Sequence, residues 1–170
     1  MPVEEQLLKI VLHNCGEDVE TVWAFDLGPA NGTTGARRVR LDNVPFLHAK
    51  PTVEDEIIVE PGEDGRLSWD KKDDPYERVC ERIVKDSGRW IMIIDYKGSD
   101  PSEGQEIYTA MRLAVEPMNV ITEGAFAPRH DSPGQAYFAV PSLVTLDSVM
   151  ALVQAAVPNV EVHLAHPLPD

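Results

Sequence analysis

The sequence predicts an α+β protein built from two modules, a small β-rich, barrel-like module over residues 1–86 packed on a ferredoxin-like βαββαβ module over residues 87–170. Three observations carry this expectation. As far as residue 70, short alternating or β-branched runs follow one another between Gly, Pro and Asn-Gly signals, the spacing of a small barrel or curled sheet. From Ser87 onward, strand-like runs alternate with two helical periods in a βαββαβ order. A chain of 170 residues suits one domain or two small ones, so the modules could also form one compact unit.

In the first module Leu8, Ile10 and Leu12 share one face of an alternating segment. Val19 to Phe25 is rich in β-branched and aromatic residues, and Gly28 to Gly35 reads as a long hairpin loop. Val39 and Leu41 alternate with Arg38, Arg40 and Asp42 until Pro45, which has no amide to give a ladder. Glu56 to Glu60 is a strand ended by Pro61-Gly62, and the turn Glu63-Asp64-Gly65 leads to another at Arg66 to Trp69. Residues 75–86 admit two readings. Tyr76, Val79, Cys80, Ile83 and Val84 form a helical stripe with Asp74-Pro75 as its cap and Gly88 as its close, while Arg82 to Lys85 also suits a strand.

The second module opens with Trp90 to Tyr96 as a buried strand. Ser102 and Gln105 make a capping box for a helix whose inner face is Ile107, Met111 and Ala114, ended by Pro117. Val120 to Phe126 and Ala136 to Val140 are strands joined by the Pro128 to Gly134 hairpin. Thr145 caps a helix carrying Leu146, Val149, Met150 and Val153, stopped by Pro158, and Val160 to Leu164 is the last strand.

Charge excludes several functions. Fifteen Lys and Arg against 29 Asp and Glu give a net charge of -14, the wrong sign for general nucleic-acid binding or for attachment to anionic lipid. The longest apolar run, Trp90 to Ile94, is far short of a bilayer span, and no secretory leader opens the chain. Cys15 and Cys80 lack metal or redox spacing and fit a reducing compartment, so a cytoplasmic location is expected.

Glu20-Thr21-Val22-Trp23-Ala24, Arg40-Leu41-Asp42-Asn43-Val44-Pro45-Phe46, Asp55-Glu56-Ile57-Ile58, Val84-Lys85-Asp86-Ser87-Gly88 and Phe138-Ala139-Val140-Pro141 together resemble the bacterial family catalogued as domain of unknown function 4265. The resemblance runs from about Leu8 to His166, and its most specific element is the Leu41 to Phe46 piece. It departs in a longer loop at Asn31 to Gly35 and in an apparent insertion at Lys71 to Val79, after which the family pattern implies a strand. The resemblance implies a bacterial intracellular protein and no catalytic residues.

No catalytic constellation survives inspection. His163 and His166 stand three apart on a strand, facing opposite ways, with His166 read as a tail residue and no ligand cluster beside them. Adjacent His130, Asp131 and Ser132 cannot form a relay and read as a polar hairpin tip. The glycines of Gly28 to Gly35 lack the Gly-Lys-Ser/Thr ending of a phosphate loop. Arg38 and Arg40 read as an exposed strand face balanced by Glu54, Asp55 and Glu56. No metal and no cofactor is expected.

What remains is a candidate binding surface of Trp23, Asp42, Asn43, Phe46, His48, Glu54, Asp55 and Glu56. In it an Asx residue before Pro45 fixes a turn by bonding the backbone two residues on, and Phe46 fills the barrel mouth. In a pocket version of the same site, His48 and Trp23 line a ligand cavity with that loop. The leading expectation is a non-enzymatic acidic binding protein, of immunity or antitoxin type, facing a basic protein partner. The alternatives are a homodimeric small-molecule sensor, or an unrecognised enzyme using Asp42, Asn43 or His48.

Overall fold

The computed structural model describes residues 5–14 and 17–166, so Cys15 lies outside the described residues. The protein is α+β, mostly strand, and divides into two compact units, Met1–Ser87 and Gly88–Asp170. Among the described residues no helix is long and apolar enough to cross a membrane.

The first unit is a closed barrel of β1 (Leu7–His13), β2 (Val19–Pro29), β3 (Arg37–Leu41), β4 (Glu56–Pro61) and β5 (Leu67–Asp70). Successive strands pair antiparallel, and β5 closes the ring by running parallel to β1, with Leu12 opposite Trp69. Alternation sends Ile10, Leu12, Val22, Ala24, Val39, Leu41, Ile57, Val59 and Trp69 inward. Each fully buried Leu or Ile contributes about 1.5–3 kcal/mol. β2 outruns the expected end at Phe25 because a bulge at Gly28, in the left-handed region (φ 114°), lets the strand continue. The Asp26 carboxylate accepts from the Gly28 amide and from Arg37, and Arg37 first, then that amide, hold Asp26 below its ordinary range against the opposing effect of burial.

Residues 75–86 resolve into a short helix and a bridge. α1 (Tyr76–Glu81) ends at Arg82, and Val79 and Ile83 join the barrel core. Asp74 does not cap it; its carboxylate pairs with Arg82, whose guanidinium lies 4.7 Å from the Trp69 ring and donates to the Asp70 and Lys71 carbonyls. Gly88 lies six positions beyond the helix end and plays no part in closing it. The expected strand at Arg82 to Lys85 shrinks to one bridge, Glu56 to Lys85, because the same edge of β4 turns to β5 at Glu60 and Pro61.

The second unit runs β6 (Trp90–Tyr96), α2 (Pro101–Val115), a 3₁₀ turn (Glu116–Met118), β7 (Ile121–Phe126), β8 (Gly134–Val140), α3 (Leu146–Ala156) and β9 (Val160–His166). The four strands form one antiparallel sheet in the order β7-β8-β6-β9. Trp90, Met92, Ile94 and Phe138 on one sheet face pack with Met111 and Val115 of α2 and Val149 and Val153 of α3. The cap of α2 is Asp100, whose carboxylate accepts from the Ser102 and Glu103 amides, rather than Ser102; Pro101 takes the first helical position, where no amide is needed. Pro117 sits inside the 3₁₀ turn, and the chain leaves it through left-handed Asn119 (φ 58°). Thr145 caps α3, its hydroxyl accepting from the Ser148 amide at 3.2 Å. His166 belongs to β9, opposite Ile91, and is not a tail residue.

Candidate functional site

The candidate surface residues separate into an inward and an outward set. The Asn43 Oδ1 accepts from the Trp23 amide at 2.7 Å, twenty residues away, while the Asp42 amide donates to the Trp23 carbonyl at 2.9 Å. The Asx residue thus extends the β2–β3 pairing beyond Leu41. His48 is buried, 5.9 Å from the Trp69 ring. Its Nε2 lies 3.1 Å from the His13 carbonyl and its Nδ1 3.3 Å from the Glu20 carboxylate, so both ring nitrogens face oxygen atoms of the barrel strands. Glu20 also accepts from the Phe46 and Leu47 amides at 2.9 and 2.6 Å. Burial acts to raise its pKa, but the His48 bond and the two amides outweigh it and hold the carboxyl below the ordinary 4.5.

Asp55 is fully buried and accepts four hydrogen bonds from three donor groups. Lys50 Nζ lies 3.2 and 3.1 Å from its two oxygens, and the Thr52 and Ser87 amides donate at 2.8 and 2.7 Å. Lys50 is itself buried and reaches the half-exposed Asp86 at 2.6 Å. Tyr76 and Cys80 adjoin this group; burial, then their mutual hydrogen bond, pushes the Tyr76 phenol up, and burial pushes the Cys80 thiol up. Both stay neutral, and a neutral thiol is a poor nucleophile. Glu56, also buried, pairs with Arg38 and lies 3.7 Å from Lys85. Arg38 therefore meets the acidic triplet as expected, whereas Arg40 pairs with Glu5 at 3.0 Å.

The outward set is Trp23, Asp42 and Glu54. Trp23 is 42% exposed, with Lys9 Nζ 4.9 Å from its ring centroid. Asp42 is exposed, and exposed Glu54 is drawn beside it by the bond from its amide to the Leu41 carbonyl. Phe46 is partly buried, and its amide donates to the Glu20 carboxylate. His48 is enclosed, whereas Trp23 lies at the surface.

Glu20, Lys50 and Asp86 carry no local sequence signal, because the partners that define them lie 5 to 36 residues away. In the second unit a cleft of about 560 Å³ opens between the end of β6, the start of β9 and the Arg129 to Pro133 loop, which includes His130, Asp131 and Ser132. Asp95 in its wall accepts from Gln135 Nε2 at 3.0 Å and meets His163 Nδ1 at 3.1 Å. Among the described residues no group of three or more His, Cys, Asp or Glu is placed to hold a metal ion.

No family model matches the chain, and no curated protein matches it. Among solved structures it is similar to a hypothetical protein from Neisseria gonorrhoeae, at 13% identity and a TM-score of 0.44, over 87% of this chain and 84% of that one.

Proposed function

We propose that this chain is a non-enzymatic binding protein of the immunity or antitoxin type, which engages a basic protein through the acidic, aromatic surface around Trp23 and Asp42. The observation that carries this reading is the division of the candidate site. His48, Asp55 and Glu56, the groups able to do acid–base work, are consumed by internal pairing, while an exposed tryptophan remains beside exposed carboxylates. Tryptophan is the residue type most enriched among interface anchors, and surrounding negative charge speeds encounter with a cationic partner. The net charge of -14 adds a long-range field of the same sign.

The resemblance to domain of unknown function 4265 supports a bacterial cytoplasmic setting for this role. The order β7-β8-β6-β9, with one helix in each crossover, supports reading the second unit as ferredoxin-like. The test is capture from the native host's lysate at low and high salt, with the full chain and with a Trp23→Ala/Asp42→Lys variant. A basic protein recovered in stoichiometric amount at low salt, reduced at high salt and lost with the variant is the expected result. Recovery of the same proteins by both chains would overturn the assignment of this surface.

A further inference from the structure

We infer that the cleft at the β6 end of the second unit binds a free α-amino acid, with cationic or neutral side chains favoured over acidic ones. This inference stands apart from the partner-binding reading of the barrel.

The cleft has the volume of a small-molecule site, about 560 Å³. The wall formed by the hairpin loop is pinned. Pro128, at the root of the hairpin loop, is buried in a collar of Gly98, Gly104 and Gly134, where an added Cβ would come within 2.8, 2.3 and 2.8 Å of its ring. Three glycines from three segments thus allow the loop to seat against the start of α2, and a seated loop presents its side chains with little ordering cost on binding. The opposite wall is held by the Gln135 and His163 bonds to Asp95, and Asn159 enters β9 in the left-handed region (φ 65°), turning the chain toward Glu161.

The charges then decide the ligand. Glu103 is taken up by the Ser99 amide and hydroxyl. Among the described residues, the side chains of Lys97, Arg129, Asp131 and Glu161 have no hydrogen-bond or ion-pair partner, although all four line this one concavity. Two unmatched cations and two unmatched carboxylates lining one cleft complement a molecule bearing both signs, which an α-ammonium and α-carboxylate supply. With Asp95 and Glu103 counted, four carboxylates face two cations, a surplus that disfavours phosphates and dicarboxylates.

The test is calorimetric titration of the full chain with lysine, alanine, glutamate and inorganic phosphate, each up to about 10 mM. Saturable binding of lysine and alanine, at least about tenfold weaker binding of glutamate and none of phosphate is expected. N-acetyl-lysine and lysinamide, each lacking one of the two charges, should lose about tenfold or more. Arg129→Ala and Glu161→Gln should do the same without moving the unfolding midpoint, since both side chains are exposed. Absence of saturable binding by lysine and alanine, equal binding of the blocked derivatives, or binding of phosphate in their place would overturn the inference.

Discussion

The two polar loops of this molecule have opposite fates. The segment from Asp42 to Asp55 turns its Asn, His, Lys and Asp inward, where each finds a partner outside the segment, at Trp23, Glu20, Asp86 and Ser87 in turn. The Arg129 to Pro133 loop lines a cleft with exposed charged groups that have no ion-pair partner among the described residues. Burial of polar groups demands partners, so the first loop serves as a clasp for the barrel, and its chemistry is spent on stability. A clasp should be costly to mutate and a rim cheap.

The largest effect is expected at Asp55. Asp55→Ala strands the buried Lys50 ammonium against Asp86 alone and leaves two amides without their acceptor, a loss of about 3–5 kcal/mol in urea unfolding. A loss below about 1 kcal/mol would break the contrast by showing the carboxylate dispensable. Met111→Asp, which places a lone charge among the packed residues of the second unit, should cost about 2–5 kcal/mol and calibrates that figure against an ordinary core.

Acid should act through Glu20. Its folded pKa lies below 4.5, so its contribution is complete above that pH and disappears as pH falls through the lower folded value. The unfolding midpoint should drop over that window in the wild type, and the drop should be smaller in Glu20→Gln. Thr52 offers the reverse sign. Its buried hydroxyl has no partner among the described residues, and Thr52→Val should raise stability by about 1 kcal/mol. At the rim, exposed His130→Ala should stay within about 0.5 kcal/mol of wild type, and a larger loss would mean the hairpin is a second clasp.

Period and punctuation are enough to read the strands of both units, because alternation at Ile10, Leu12 and Met92, Ile94 is local information. Features set across distance escape. The α2 cap was readable, since Pro101 suits only the first helical turn and so points to Asp100; Ser102 with Gln105 is a decoy of the same residue types. The apolar stripe from Tyr76 to Val84 overstates α1, which stops where Arg82 turns to the Trp69 ring and the carbonyls before it. Within the candidate site, Trp23 at the surface follows from strand alternation, as its neighbours Val22 and Ala24 are buried. The inward set does not follow from local pattern. Asp55 and Glu56 look like a solvated acidic run until Lys50 of the same loop, Arg38 of β3 and Lys85 beyond α1 neutralise them.

Closure of the first sheet by the β5–β1 pairing removes both rows of dangling amides and carbonyls, whereas β7 and β9 each keep one. Fraying can begin along an outermost strand of the second unit, but the ring must break a full ladder before any part of it opens. Amide deuteration should therefore reach β7 and β9 early and sweep the ring strands late and nearly together, and self-association on mild heating should start from β7 or β9.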